Sequence, residues 1–502
     1  VHVNTSRLIS FVLPALLSVA PLGAQITQAE YASRRAALTK SLPGDGVLLV
    51  RGGRDPKENF QNFWQAENFN YLTGFLEPDA TLVIVRKNGG EQSFLLVQPK
   101  DPAQEVWTGH RLGADGVKSK LGMEGRAESG LRAMLDSLLS SGGTLFAVGD
   151  FSRGGGADVP GTVGPRTEDD QFLDALKVKH RDVKVVDASK NVMELRAKKS
   201  SAELALIRSA ARISAMAHKE VLHMITPGMN EFEVQALAEY TFRRNGGDGP
   251  SYGSIVGSGP NSTTLHYNKD DRYMRSGEML NMDMATYYGG YSADLTRTVP
   301  VSGKFSAEQR DIYQIVFDAQ AAAERQVHPG QQWKALNDSA TTTLRNGLTK
   351  LGLIESPDAT YECGTAERAR SCPQLTLFYM HGLGHPIGLD VHDVDKYSTS
   401  GLSEGSVFTI EPGVYVRENT VDVIPNVAAN AALRTKIAAA VKKYANIGVR
   451  IEDDYVVTAN GFDRITSGAP RSMDEIEAEM AKKMGPSVRD AATVEAYKKV
   501  RP

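Results

Sequence analysis

Cysteine is nearly missing from this chain: two residues in 502. That excludes a disulfide-framework scaffold and a thiolate metal site. The pair, Cys363 and Cys372, lies nine positions apart in a polar segment. In an oxidising compartment the two would close one small loop, and in a reducing one they would be two thiols; the disulfide is favoured. An excess of one charge is missing too. The chain has 57 basic and 60 acidic side chains, net −3, with no long basic run, so nucleic acid is not expected as a partner. No apolar run reaches the roughly 20 residues of a comfortable bilayer span. The triple glycine Gly154-Gly155-Gly156 lacks the Gly-Lys-Ser/Thr ending of a phosphate loop and reads as a surface loop.

Residues 1–24 carry a targeting pattern. Arg7 precedes an uncharged run from Leu8 to Leu22, and Leu22-Gly23-Ala24 precedes Gln25. A short basic start, an apolar middle and a small residue at the end describe a secretory signal. Val1 in the place of Met suggests an alternative start codon of bacterial kind. The expectation is an exported protein, periplasmic or secreted, without a stable membrane anchor.

A helix is expected over 29–41. After it, short apolar runs (Val47–Val50, Thr81–Val85, Phe94–Val97, Leu145–Val148, Val183–Val186) alternate with helical periodicity such as Gly130–Leu139. This predicts an α/β domain over 29–190 with a parallel or mixed sheet. A second domain, 199–470, opens with Ser200 and Glu203 in a capping-box spacing, and Leu204, Ile207, Ala211 and Ala215 share one helical face. Thr226-Pro227-Gly228 stops that helix, and Asn230 with Glu233 starts the next in the same way. Strand-like segments follow from Ser254 to Val301. Helix signals return over Glu308–Val327 and Trp333–Leu351, before more strands from Leu375 to Thr458. Two rounds of helices then strands suggest a duplicated α+β unit. A helical tail over 471–502 places Met473, Ile476, Met480 and Met484 at helical spacing.

The chemistry concentrates in a few windows. His381-Gly-Leu-Gly-His385-Pro-Ile-Gly-Leu-Asp-Val-His392 holds three of the ten histidines. Imidazole is both a common metal ligand and a common acid/base near neutral pH. Upstream, Gly289-Gly290 between two β-prone runs marks a hairpin. With a loop of Tyr287–Gly290, Asp283 faces Asp294 across the strands. Like charges there destabilise the pair, so the hairpin is either in another register or holding a cation. Glu411 and Glu452 lie in apolar strand patterns, where a carboxylate is costly unless paired or bound to metal. Asp453 and Asp454 are expected to be solvated neighbours or turn residues. Two aspartates, two glutamates and an imidazole suit a pair of divalent ions, with manganese, cobalt or zinc as candidates. Two such ions can share a bridging hydroxide and clamp a carbonyl oxygen during hydrolysis.

Taken in order, five windows resemble one family. They are Gly257-Ser-Gly-Pro-Asn-Ser-Thr-Thr-Leu-His266-Tyr, Asp283…Asp294-Leu-Thr-Arg-Thr, the histidine window, Thr409-Ile-Glu-Pro-Gly and Val449-Arg-Ile-Glu-Asp. Together they look like the creatinase/aminopeptidase P family of metallopeptidases, as do Phe69-Asn-Tyr-Leu-Thr-Gly74 and Glu105-Val-Trp107-Thr-Gly in the first domain. The resemblance implies a "pita-bread" catalytic domain and two metal ions, manganese first, held by Asp283, Asp294, His385, Glu411 and Glu452. Asp294 and Glu452 would bridge them, and Glu411 would also act as general base or proton shuttle. His266, His381 and His392 would position substrate, and Arg450 would orient the carboxylates. Trp107 resembles an aromatic that reaches a neighbouring subunit, and the family favours dimers or tetramers. The implied reaction is hydrolysis of the bond before a proline at position two of a peptide. A prolidase restricted to dipeptides is the alternative, and a metal-free relative serving as a binding scaffold is a third. Three features depart from the family pattern: Met284-Ala285 after Asp283, an Ala/Lys-rich helix-like insertion at 427–444, and a cysteine-bearing insertion at 358–373. The two insertions are expected near the second half of the site, where they could narrow the substrate range.

Overall fold

The computed structural model describes residues 25–56, 62–149, 167–365, 368–394 and 400–482. The signal reading of 1–24, the Gly154–Gly156 loop and Met484 lie outside them.

The first domain is a six-stranded mixed sheet. Its strands are Gly46–Arg51 (β1), Thr81–Lys87 (β2), Gly90–Val97 (β3), Glu124–Ala127 (β4), Gly143–Val148 (β5) and Val183–Asp187 (β6), in spatial order β4-β3-β2-β1-β5-β6. β1 runs antiparallel to β2 and parallel to β5. The apolar runs are continuous because both faces are covered. Val47, Leu49, Val83 and Leu96 pack on one face against Leu131, Leu135 and Leu173 of two helices. Leu48, Val50, Leu82 and Leu95 pack on the other, in a core continuous with that of the second domain.

The second domain is α+β and built twice. Helices Ser201–Leu222 and Glu231–Arg244 precede one long, broken hairpin, and Ala307–Glu324 and Trp333–Lys350 precede another. The Ser200–Glu203 capping box forms in both directions. Asn230 caps its helix through the Phe232 N–H, without the reciprocal Glu233 bond that would complete a box.

The first hairpin comprises Met279–Asp283 (β7), Thr286–Tyr288 (β8), Tyr291–Ser292 (β9) and Thr296–Pro300 (β10). Its register differs from the expected one by two residues: Tyr288 pairs Tyr291, and Asp283 pairs Thr296 rather than Asp294. The cause is the turn. Gly289 and Gly290 both take positive φ, +59° and +82°, so they close a two-residue loop instead of the last half of a four-residue one. A shift of two preserves the face, so Asp283 and Asp294 remain diagonal neighbours on one side.

The second hairpin comprises Val407–Ile410 (β11), Gly413–Val416 (β12), Ile447–Arg450 (β13) and Asp453–Thr458 (β14). Ile410 pairs Asp453 and Gly413 pairs Arg450, so across the break Glu411 stands opposite Glu452.

Both insertions fold against each other. Cys363 and Cys372 are disulfide-bonded across the hairpin Thr360–Glu362/Ser371–Pro373, and Ala431–Tyr444 is helical. The buried Asn430 side chain bonds the Glu362 N–H and carbonyl, at 3.0 and 2.9 Å. No helix among the described residues is long and apolar enough to cross a membrane.

Candidate active site

Each of the four acidic candidates sits where a strand leaves one small sheet for another. Asp283 ends β7, Asp294 lies between β9 and β10, Glu411 between β11 and β12, and Glu452 between β13 and β14. Broken ladders free the chain to turn these side chains inward. They line one cavity of about 570 Å³ with Tyr252, His266, His381, His385, His392 and Arg450, and with Ile255, Leu265 and Val391 as apolar wall. All eight residues expected to bind metal or act on substrate are brought together there. No described residue of either insertion lines this cavity.

Asp294, His385 and Glu452 form the tightest group, with one ligand atom of each within 4.8 Å of the others. His385 Nδ1 lies 3.1 Å from the Pro386 carbonyl, which can only accept, so Nδ1 carries the proton. Nε2 then points its lone pair at Asp294 (3.3 Å) and Glu411 (3.6 Å). Asp283 stands beside this group, its Oδ1 bonded to Tyr252 (2.5 Å) and its Oδ2 to Arg450 Nη2 (2.6 Å). Tyr252 also reaches Asp294 Oδ1 at 2.6 Å.

The electrostatics call for a cation. Burial, then repulsion from Glu452, pushes the Glu411 carboxyl up to about 8. Burial, then repulsion from other carboxylates, drives Asp294 and Glu452 well above the usual range. Buried carboxylates so arranged either hold protons or hold cations. An oxygen-rich set with one oriented imidazole fits divalent ions of the manganese, cobalt and zinc kind.

The histidines divide by environment. His266 and His392 are exposed at the cavity rim, and the His392 ring lies 4.0 Å from that of His385. His381 is half-buried and its pKa is lowered to about 4, chiefly by loss of solvent. Its Nε2 meets the Tyr415 hydroxyl at 2.8 Å and its Nδ1 the Gly382 carbonyl at 2.8 Å. Both ring nitrogens are thus engaged within the protein. Arg450 is also shared: Nη1 reaches Tyr415 (3.0 Å) and Nε reaches Thr296 Oγ1 (3.2 Å), which donates to Glu452 Oε2 (2.7 Å).

Asp453 and Asp454 are not solvated; both are fully buried. Asp453 pairs with Arg297 at 2.7 Å, and Asp454 accepts the backbone N–H of Asp294 at 3.1 Å. The loop carrying His385 and His392 is anchored from the domain linker. Arg196 bonds Asp390 (2.7 Å) and Asp393 (2.5 Å), and Lys199 bonds Asp393 (2.9 Å).

Comparison with known proteins agrees with this geometry. Residues 205–459 match the model of metallopeptidase family M24, and residues 31–146 match that of the aminopeptidase P N-terminal domain. The chain belongs to metallopeptidase family M24. It is 32% identical to the Xaa-Pro aminopeptidase of Escherichia coli, over 91% of this chain and 98% of that protein. It is 30% identical to the Xaa-Pro aminopeptidase of Haemophilus influenzae, over 90% and 97%. Among solved structures it resembles Pseudomonas aeruginosa aminopeptidase PepP, with a TM-score of 0.75 at 30% identity over 91% of this chain and 99% of that one. E. coli aminopeptidase P with the inhibitor Pro-Leu gives 0.75 at 30%, over 91% and 98%. Fold and family are thus those of an M24 peptidase with its pita-bread catalytic domain, and divalent metal binding goes with the family.

Residues that the motifs did not single out complete the site. Tyr252, Thr296 and Tyr415 tie the carboxylates and His381 to Arg450. Thr296 lay within a quoted motif without a role, whereas Tyr252 had no local signal.

Proposed function

We propose that the protein is an Xaa-Pro aminopeptidase, removing the N-terminal residue of peptides whose second residue is proline. The observation that carries this reading is the convergence of Asp283, Asp294, His385, Glu411 and Glu452 on one cavity, in a chain similar over 91% of its length to an Xaa-Pro aminopeptidase. Two divalent ions, manganese first, would be held by these five side chains. When bound, they supply an activated water and polarise the scissile carbonyl.

The remaining work falls to the chain. Glu411 takes the water's proton and passes it to the leaving proline nitrogen as the C–N bond breaks. Proline offers no N–H of its own and fixes φ, which suits a rigid, partly apolar wall such as Ile255, Leu265 and Val391. His266 and His392, exposed at the rim, are placed to donate to the carbonyl oxygen as charge develops. His381 acts from behind through Tyr415.

We propose export as well, supported by the signal pattern of residues 1–24 and by the Cys363–Cys372 disulfide. We also propose a homo-oligomer, a dimer or tetramer. Trp107 and Val106 are 83% and 80% exposed on the helix Pro102–Thr108, which buries no residue of its own.

The test is hydrolysis of Gly-Pro, Gly-Pro-Ala and a longer Xaa-Pro peptide, with manganese and after chelation. Cleavage of all three, lost on chelation and restored by metal, is expected. Cleavage of Gly-Pro alone would make the protein a prolidase, and no activity with any metal would leave a scaffold.

A further inference from the structure

A broken ladder must find other partners for the backbone groups it frees. The first hairpin breaks at Met284 and Ala285, directly after Asp283. Two side chains of the helix Ser201–Leu222, one turn apart, take up the freed groups. His218 Nε2 lies 2.9 Å from the Met284 carbonyl oxygen, and Ser214 Oγ accepts the Thr286 N–H at 3.0 Å. The Ser214 hydroxyl in turn donates a hydrogen bond to the Ala210 carbonyl at 2.9 Å. A carbonyl can only accept, so Nε2 carries the His218 proton.

His218 is fully buried, and its Nδ1 has no hydrogen-bond partner among the described residues. An apolar side chain would fill that helix face without stranding a nitrogen. Among the described residues, the hydrogen bond that uses the polarity of the ring is the one to Met284, next in sequence to Asp283. On the facing strand, the buried Asp454 carboxylate holds the Asp294 N–H in a comparable way.

We propose that His218 is a positioning residue for the metal centre. By holding the Met284 carbonyl it fixes the backbone that aims Asp283 into the cavity. This rests on Asp283 being a metal ligand, and the test separates the two claims. Manganese affinity of the metal-free protein is measured by chelator competition, together with its melting temperature, for wild type, Asp283→Asn, His218→Phe and His218→Gln. A glutamine amide places an N–H where Nε2 stands. His218→Phe is expected to weaken the Asp283-dependent manganese binding by about tenfold or more, and His218→Gln to stay within about threefold of wild type.

Unchanged affinity in His218→Phe, with binding lost in Asp283→Asn, overturns the proposal and leaves a packing role. Unchanged affinity in Asp283→Asn overturns it by removing the ligand on which it rests. If His218→Phe does not fold, His218→Asn, whose amide is one bond shorter, replaces it. Equal affinities of the Asn and Gln variants then overturn the proposal.

Discussion

Arg450 and Asp283 form a buried ion pair, Nη2 to Oδ2 at 2.6 Å, and the same guanidinium supports Glu452 through Thr296. One side chain therefore braces carboxylates from both hairpins. Replacing it leaves Asp283 buried beside other carboxylates without a counter-charge, held only by the Tyr252 hydroxyl. Arg450→Ala is expected to cost about 3–5 kcal/mol in the metal-free protein. It should also weaken metal binding roughly 10- to 100-fold. Arg450→Lys should recover little, because an ammonium cannot reach three acceptors in a fork. Denaturant unfolding and metal titration of the three proteins check this.

The Tyr252 hydroxyl lies within 2.6 Å of carboxylate oxygens on both Asp283 and Asp294. It places a donor between two groups that repel each other. Tyr252→Phe should destabilise the metal-free protein by about 1–3 kcal/mol, the cost of a buried charged acceptor losing its donor. With metal bound, cations answer the same repulsion and the loss should shrink. Melting curves with and without chelator would show a wider gap in the variant than in wild type.

The raised carboxyls set a pH dependence. Unfolded, the Glu411 carboxyl releases its proton near 4.5; folded without metal it does so at about 8. Between those values the folded state binds more protons, so raising the pH favours unfolding. The stabilisation is full below about 4.5 and is lost as pH rises through about 8. Each such group contributes a slope of up to about 1.4 kcal/mol per pH unit. Asp294 and Glu452 shift in the same direction. The chelated protein should therefore melt at falling temperature from pH 5 to 8, and the metal-loaded protein should lose most of that slope. Parallel slopes would contradict a metal site built from these groups.

What the sequence revealed about this site was mostly local. The Ser200 cap, the apolar strand runs and the five motifs each depend on neighbours a few positions away, and all are found in place. The first-hairpin register differs by two from the expected one because nothing before the turn shows that both glycines take positive φ. The conclusion that Asp283 and Asp294 share a face survived, since face depends only on parity. Asp453 and Asp454 looked solvated because their partners, Arg297 and the Asp294 N–H, come from some 150 to 160 positions away. Tyr252 and His218 were missed for the same reason: each acts across a gap that only folding closes.

The disulfide lobe lies apart from the cavity, so its loss should be felt in stability and not in turnover. Closing a loop of this size is worth about 2–4 kcal/mol. The double variant Cys363→Ser/Cys372→Ser should be nicked faster by protease within this segment. Its kcat/KM toward an Xaa-Pro tripeptide should stay within about twofold of wild type, because no described residue of this segment lines the cavity. A large rise in KM with intact folding would return the insertion to the substrate path.

Gly388 separates His385 from His392 and has no room for a side chain. A Cβ there would stand 1.9 Å from Asp393 Oδ2 and 2.8 Å from Lys199 Cε. Asp393 is the buried carboxylate on which Arg196 and Lys199 converge, so it cannot move without unpairing at least one of them. Gly388→Ala should push the loop instead, carrying both histidines out of register with the carboxylates. A misplacement of about 1 Å is enough to lose roughly 100-fold in rate. Because Asp294, Glu411 and Glu452 stay in place, metal content should fall less than activity does. Metal analysis beside kcat/KM tests this, and a variant with full activity would show that the loop tolerates the shift.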